Sequence, residues 1–338
     1  MSDAVYLRSV ALMGTVVTIQ VVGHEADSQQ RTRRDQAVAA AFAWFRRIEE
    51  CCTRFEAQSE VMQLAAQVGV PVSVSAILYE AVQFALAVAE ESGGAFDPTV
   101  GYAMETRGFN REHHTGETIA TALDPGGSVS YRDVRLDPDR KTITLLRPLI
   151  LDLGAVAKGL AIDLAARELR PFENFAIDAG GDLYLGGCNS SGEPWSVGIR
   201  HPRRDHELID SLRVSNRAVC TSGDYERRTA TEGNGHHILD PRTGVSPDAA
   251  ASVTVVAPTA MLADALATAA FVLGPADGIR LFERLDVDGL IISPSLERYA
   301  TRGMYREQGK YRDTAMNVDQ GKYRDEAIAG DKGTRRDH

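Results

Sequence analysis

The sequence predicts a globular fold that mixes helices with strands, and three observations lead to this prediction. Apolar residues recur at helical spacing over 35–54 and 75–92. Alternating apolar residues predict a strand pair within 131–146. The pattern of residues 151–163 predicts a short apolar strand that turns at a glycine and leads directly into a helix. With 338 residues, 43% of them hydrophobic, the chain can form one large or two ordinary domains.

The chain's charge and cysteines narrow the class of protein. A net charge of −10 argues against a general nucleic-acid-binding protein, so no nucleic-acid partner is expected. The four cysteines, Cys51, Cys52, Cys188 and Cys220, follow no C-x-x-C pattern. Reduced thiols in a cytosolic protein account for them most simply.

The N-terminal region predicts a strand rather than a targeting segment. Polar residues interrupt the apolar stretch 10–22, whose Val17, Ile19 and Val21 alternate. No signal peptide or lipid-attachment cysteine is evident, and no apolar run reaches the roughly 18 residues of a membrane span. We therefore expect no transmembrane segment and a cytoplasmic location, with the periplasmic face less favoured.

The remaining elements follow along the chain from periodicity and capping residues. Helices are predicted at 35–54, 59–66, 75–92, 155–169, 261–273 and 279–285. Strands are predicted at 10–22, 131–136, 142–146, 150–153, 175–178, 183–185, 195–199, 212–214, 218–221, 236–239, 252–257 and 289–293.

The C-terminal region differs in composition from the rest. Apolar residues become scarce from Arg302, and Gly-Lys-Tyr-Arg-Asp occurs twice, at 309–313 and 321–325. Such composition predicts a segment that is disordered or folds only against a partner. We therefore divide the chain into a folded domain, 1–298, and a charged tail, 299–338.

The stretch from Leu151 to Asp163 carries the first candidate site. Gly154 permits a sharp turn, and the helix that follows offers unpaired N–H groups and a partial positive charge to an anion such as a pyrophosphate. Lys158 adds a full charge, and Asp152 precedes the turn. A plain strand–helix junction with a chance lysine is the alternative.

Asp264 and Thr268 form a second candidate site. They lie four residues apart on a predicted apolar helix, so their oxygens share one face. A carboxylate and a hydroxyl are hard ligands suited to Mg²⁺. The alternative is an exposed aspartate with a threonine that bonds back to a helix carbonyl.

Histidines and aspartates near predicted strands supply further candidates. His237 could act as an acid or base near neutral pH, although a lone strand histidine is more often structural. Its neighbour His236 would face the opposite side of a strand. Asp178 and Asp182 flank Gly180-Gly181 and could bind ligand hydroxyls, but holding a loop is the simpler role.

Six separated blocks together resemble the ApbE family, the FAD:protein FMN transferases, over residues 10–295. The blocks are Met13-Gly14-Thr15, Thr53-Arg-Phe55 through Ser59-Glu60, Gly94-Ala-Phe-Asp-Pro-Thr-Val-Gly101, the central stretch 151–159, Ser222-Gly-Asp-Tyr-Glu-Arg with His237-Ile238-Leu239-Asp240-Pro241-Arg-Thr-Gly244, and Ala263-Asp264-Ala-Leu-Ala-Thr268. They occur in family order.

The resemblance implies a fold and an activity. The fold would be α+β, with mixed sheets and flanking helices in two lobes and FAD in the cleft between them. A Thr or Ser hydroxyl of a target flavoprotein would attack the phosphorus on the riboflavin side of FAD. FMN would become esterified to the target in the presence of Mg²⁺, and AMP would leave.

The resemblance also implies which residues act. The Ala155 carbonyl, Asp264 and Thr268 would hold Mg²⁺, and Asp264 and His237 would be catalytic. The residues expected to line the FAD site are Met13, Phe55, Ala95, Phe96, Asp97, Asp152, Lys158 and Ile238. His236 replaces a common serine, which leaves open which histidine is the base.

Two other functions share these residues. One is an FAD-binding protein that transfers nothing. The other is an Mg²⁺-dependent FAD pyrophosphatase that releases FMN and AMP.

Overall fold

The computed structural model describes residues 4–23, 27–111, 116–121, 123–226 and 235–305, and its architecture is α+β, as predicted. Thirteen strands are present in these ranges: β1 (Val5–Leu12), β2 (Thr15–Val22), β3 (Val72–Ser73), β4 (Val134–Asp137), β5 (Thr142–Leu145), β6 (Asn174–Ala179), β7 (Asp182–Gly186), β8 (Trp195–Arg200), β9 (Leu208–Val214), β10 (Arg217–Gly223), β11 (Ser252–Ala257), β12 (Asp288–Ile292) and β13 (Arg298–Ala300).

Eight of these strands form the main sheet, in the order β1-β2-β6-β7-β10-β11-β12-β13. Each neighbouring pair in this sheet is antiparallel. Two smaller sheets have the orders β3-β5-β4 and β8-β9. The strand pair predicted within 131–146 is confirmed as β4 and β5, but residues 131–133 form a short 3₁₀ helix rather than the start of the first strand.

Six α-helices lie within the described residues: α1 (Ser28–Cys52), α2 (Glu60–Ala65), α3 (Ala76–Glu91), α4 (Gly101–Thr106), α5 (Gly154–Leu169) and α6 (Ala260–Arg284). Side chains of Ser59, Ser75 and Thr259 accept a backbone N–H two or three residues into α2, α3 and α6. These capped starts agree with the predicted helix boundaries.

Close packing between α5 and α6 fixes the centre of the fold. Gly159 of α5 lies against the backbone of Ala260 and Met261, leaving no room for a side chain. The carboxylate of Asp163 accepts the N–H groups of both residues, at 2.7 and 3.0 Å. Burial raises the pKa of Asp163 to about 6, although these two N–H groups oppose the shift. One glycine and one aspartate thus set where α6 begins on α5.

Two hairpin turns meet at one end of the main sheet. Met13 and Gly14 join β1 to β2 with positive φ angles of 53° and 69°. Gly180 and Gly181 join β6 to β7, with φ angles of 68° and 101°. A Cβ at Gly180 would collide with the hydroxyl of Thr15, so glycine is required where the two turns touch.

Several predicted strands are wrong. The single strand predicted at 10–22 is a hairpin, because Met13 and Gly14 adopt turn conformations rather than continuing the strand. The segment 150–153 joins no strand within the described residues, and its backbone bonds instead with Pro98 and Gly101. Residues 236–239 form no strand, because their neighbours fold into a turn that closes between Asp240 and Val245.

Two helix boundaries also differ from prediction. The helix predicted at 35–54 begins earlier, at Ser28, capped by the side chain of Asp27. The break predicted after residue 273 is present inside α6 at Gly274, where φ is 77° and ψ is 177°, but the helix resumes at Pro275 rather than at residue 279. Gly180-Gly181, between the strands predicted at 175–178 and 183–185, forms the hairpin turn described above.

The folded region continues past the boundary predicted at residue 298. Strand β13 pairs with β12, and a short 3₁₀ helix follows at 302–305. Residues 306–338, which hold most of the predicted tail, lie outside the described residues. The arrangement of two lobes with FAD between them stays a prediction.

Helix α6 is long and apolar enough to cross a membrane when judged by length and composition. Most of this stretch is buried inside the fold, as in the core helix of a folded domain. No other helix of the described residues meets that test.

We expect Gly159→Ala to destabilise the fold although alanine favours helices. Its Cβ would lie 2.5 Å from the Met261 nitrogen and 2.7 Å from the Ala260 carbonyl carbon, so the helices must separate at a cost of about 2 kcal/mol. Urea unfolding measures this loss. Gly278→Ala is the comparison: its Cβ would lie 2.6 Å from the flexible end of Ile291 and 3.0 Å from the Ala270 Cβ, with the nearest backbone atom at 3.2 Å, so it should cost less. Equal losses would contradict this account of the packing.

Candidate active site

The start of α5 is positioned by Asp152 and Arg54. One oxygen of Asp152 accepts the Gly154 N–H at 2.9 Å, and the other pairs with Arg54 Nε at 2.7 Å. Leu153 gives the helix no side-chain cap. The helix start that the sequence predicts is therefore present, and both its first N–H and the carboxylate that precedes it are engaged by the protein itself. Anion binding at this helix start stays a prediction.

Arg54 connects three segments around this helix start. It is 9% exposed, pairs with Asp152, donates to the Phe109 carbonyl at 2.5 Å, and its guanidinium lies 4.4 Å from the centre of the Phe55 ring. Two residues expected to line the FAD site, Phe55 and Asp152, are thus held by one arginine.

One turn into α5, Lys158 lies among buried acidic residues. Its ammonium pairs with Asp182, the first residue of β7, whose side chain is 3% exposed. Burial alone would lower the pKa of Lys158, but the charges of Asp182 and Asp264 outweigh it and hold that pKa above its ordinary value. Lys158 is therefore a fixed positive charge at this site.

Asp264 and Thr268 face the site from the neighbouring helix α6. Asp264 is 7% exposed, which excludes the alternative of an exposed aspartate. The Thr268 hydroxyl lies 3.4 Å from the hydroxyl of Ser222 on β10. Buried Cys220 of β10 lies 3.6 Å, measured from its sulfur, from the carbonyl oxygen of Ala260 at the start of α6. Burial, together with the charges of Asp182 and Asp264, raises the pKa of its thiol.

The oxygens of Asp264 and Thr268 suit a small hard cation such as Mg²⁺. A carboxylate and a hydroxyl one helical turn apart are oxygen ligands of the kind Mg²⁺ takes, and a buried carboxylate gains from a cation beside it. Within the described ranges, no three His, Cys, Asp or Glu residues gather as a ligand cluster. Backbone or substrate oxygens would have to complete the set, as the prediction for the Ala155 carbonyl requires.

Ala155 lies in the first turn of α5, on the helix that packs against α6. Gly159, one turn later, contacts Met261, and Lys158 is near enough to feel the charge of Asp264. The two parts of the predicted cation site therefore belong to adjacent helices.

The 95–101 segment contributes buried side chains rather than an exposed charged group. Ala95 and Phe96 are buried. One oxygen of Asp97 accepts the N–H and hydroxyl of Thr99 at 2.9 and 2.7 Å, and the other accepts the Tyr131 N–H at 2.9 Å. Burial nevertheless raises the pKa of Asp97. This carboxylate holds the loop together.

Met13 lies half-buried at the β1–β2 turn, next to the turn that leads into Asp182. Ile238 is buried in the main core. The structure thus places Met13 near the Lys158 pair, but it shows no contact that assigns Met13 or Ile238 a ligand.

The two histidines have different surroundings. His236 is 4% exposed, its Nε2 lies 2.9 Å from the Pro247 carbonyl, and its ring packs edge-on against Phe271 at 5.2 Å. These contacts fit a structural role. His237 is only half-buried, and its role as the base stays a prediction.

Sequence reasoning missed part of this site. Arg54 lies inside the family block that begins at Thr53, but the sequence predicts a site role only for its neighbour Phe55. Asp182 was expected mainly to hold a loop, and it instead pairs with Lys158, whereas Asp178 does hold the turn by accepting the Gly181 N–H at 2.7 Å. Ser222 enters the prediction only as the first residue of a family block. For Asp182, the signal available in the sequence is an aspartate directly after Gly180-Gly181.

Comparisons with known proteins agree with this architecture. The chain is 32% identical over 308 residues to the FAD:protein FMN transferase of Klebsiella pneumoniae, covering 87% of this chain and 91% of that protein. It is 31% identical to the FAD:protein FMN transferase of Treponema pallidum, covering 88% and 87%.

Solved structures share the fold. The ApbE protein of Thermotoga maritima is 30% identical with a TM-score of 0.77, over 89% of this chain and 98% of that one. The flavin transferase ApbE of Vibrio cholerae, at 24% identity and a TM-score of 0.75 over 89% and 98%, shows the fold alone. The ApbE family profile matches residues 13–291. The chain therefore belongs to the ApbE family.

Proposed function

We propose that this protein transfers FMN from FAD to a Thr or Ser hydroxyl of a target protein, in an Mg²⁺-dependent reaction that releases AMP. The chain is an enzyme of the FAD:protein FMN transferase kind, the name its curated relatives carry. The observation that supports Mg²⁺-dependent transfer to a hydroxyl is the close packing of α5 against α6. This packing brings the start of α5, Lys158 and Asp264 close together.

The bound diphosphate would lie at the start of α5. The partial positive charge of a helix start favours phosphate oxygens even though Asp152 accepts the Gly154 N–H, and Lys158 adds a full charge one turn further on. Because charge grows on these oxygens as phosphorus is attacked, donors fixed in advance lower the barrier.

Asp264, Thr268 and the Ala155 carbonyl would hold Mg²⁺ beside the diphosphate. When bound there, Mg²⁺ would neutralise phosphate charge. Asp264 is buried and fixed on α6, so its carboxylate needs little reorganisation to meet a cation.

His237 would take the proton from the acceptor hydroxyl while the oxygen of that hydroxyl bonds to phosphorus. The bond from phosphorus to the bridging oxygen breaks in the same displacement, and AMP leaves with that oxygen. His237 suits this task better than His236, whose ring is held by Pro247 and Phe271.

One assay separates transfer from the two rival functions. The protein is incubated with FAD, Mg²⁺ and an acceptor protein that carries a flavinylation threonine, and with its Thr→Val variant as control. Covalent fluorescence on the threonine form alone, with AMP released, is the expected result. Free FMN and AMP without labelling would mean hydrolysis, and neither product would mean binding alone; either outcome overturns the proposal.

We expect Asp264→Ala to lower Mg²⁺-dependent turnover by about 100-fold or more, because the cation loses its charged ligand. Circular dichroism and urea unfolding would check that the fold survives. Thr268→Val and Thr268→Ser form a matched pair: the first removes the hydroxyl and should raise the Mg²⁺ requirement, while the second keeps it. Full activity in Asp264→Ala would refute the cation site.

His237→Ala is expected to slow transfer by about 100-fold while FAD affinity changes less than about threefold. Single-turnover labelling and equilibrium FAD fluorescence measure the two quantities. His236→Ala is the comparison variant, and it should lower the unfolding free energy through its lost contacts with Pro247 and Phe271. A collapse of FAD affinity in His237→Ala would make that residue a ligand contact instead.

A further inference from the structure

Asp182 is a buried carboxylate to which the proposed reaction assigns no task. We propose that it is a positioning residue: it draws the Lys158 ammonium to itself and so limits competition between that ammonium and a divalent cation for Asp264. This inference rests on the proposed function, because it takes Asp264 to be a cation ligand.

The protein holds Asp182 rigidly. It is the first residue of β7, directly after the Gly180-Gly181 turn, and only 2% of it is exposed. Its Oδ1 accepts the Thr221 N–H of β10 at 3.2 Å, while Oδ2 pairs with Lys158. One oxygen is thus fixed by the sheet, and the other is aimed at the lysine.

Lys158 reaches this carboxylate from α5 and lies within range of a second one. Its neighbour Gly159 packs against the backbone of Met261, which lies one turn before Asp264 on α6, so the two side chains come from adjacent turns of touching helices. The charges of both Asp182 and Asp264 raise the pKa of its ammonium. A lysine has a flexible four-carbon stem that can redirect its charge, and attraction between buried charges is strong because water screens them little. Without Asp182, Asp264 is the carboxylate among the described residues whose charge still acts on the ammonium.

A lysine drawn toward Asp264 would compete with the cation for the same oxygens. In the intact protein, the Asp182 pair keeps the positive charge of Lys158 at the site while leaving its hold on Asp264 weak. This arrangement would let the Lys158 ammonium and a cation at Asp264 lie near each other without competing for the same carboxylate. It also explains why a fully buried aspartate lies at the end of a hairpin, where a polar exposed residue would be the ordinary choice.

A double-mutant cycle on Mn²⁺ binding tests the inference. The four proteins are the wild type, Asp182→Asn, Lys158→Met and the double variant, and each is titrated with Mn²⁺ in the presence of FAD without acceptor protein. Electron paramagnetic resonance of free Mn²⁺ gives the affinity, and chromatography checks that FAD stays intact. Asparagine keeps an oxygen for the Thr221 N–H, so the test changes the charge and little else.

The expected signature is strong non-additivity. Asp182→Asn should weaken Mn²⁺ binding about tenfold, because Lys158 then competes at Asp264. As a single substitution, Lys158→Met should tighten Mn²⁺ binding by less than about threefold. Added to Asp182→Asn, it should raise the Mn²⁺ affinity about tenfold and so restore the wild-type value. Equal effects of Lys158→Met in both backgrounds would mean that the charges act independently, and would overturn the proposal.

Three further variants secure the interpretation. Asp182→Glu keeps the charge and should bind Mn²⁺ within about threefold of the wild type, whereas a loss as large as that of Asp182→Asn would point to a purely structural role. Glu193→Gln breaks an exposed ion pair with Arg213 and should change nothing. Asp264→Ala should abolish tight Mn²⁺ binding; if it does not, the cation site itself is wrong, whatever the cycle shows.

Discussion

The site depends on the contact between α5 and α6. Gly159 lets the two backbones touch, and Asp163 accepts the first N–H groups of α6, so that helix can begin only where α5 allows. Because both helices are rigid, this contact fixes Lys158 and Asp264 relative to each other. The chemistry at their junction follows from how closely they pack.

Charge is the second constraint, and it is strict because the groups are buried. Asp182 and Asp264 are almost fully enclosed, and Lys158 stands near both. Uncompensated buried charges are costly, so each carboxylate needs a cation or a donor. The pairing of Asp182 with Lys158 meets part of that need within the protein. A divalent cation at Asp264, as proposed above, would add a positive charge beside that buried carboxylate, which connects the stability of the folded centre with the proposed reaction.

Local sequence signals predicted the helices and most strands well. Helices α2 and α3 are predictable because capping residues and an apolar stripe act within a few turns of chain, and α5 is predictable from its apolar stripe alone. The errors fell where tertiary contacts override local pattern. Residues 150–153 look like a strand, but they pair with Pro98 and Gly101, which no local signal shows. The turn at Met13-Gly14 was hidden because methionine rarely takes a positive φ.

The site could be predicted only as separate pieces. Asp264 and Thr268 are one turn apart on one helix, so their shared face follows from spacing. The pairing of Lys158 with Asp182 joins residues 24 positions apart through the fold, and no periodicity encodes it. The most direct test of the cation site is an anomalous diffraction map of crystals grown with Mn²⁺ and FAD. Our account predicts a peak bonded to oxygens of Asp264, Thr268 and Ala155; a peak on the diphosphate that none of these three touches would contradict it.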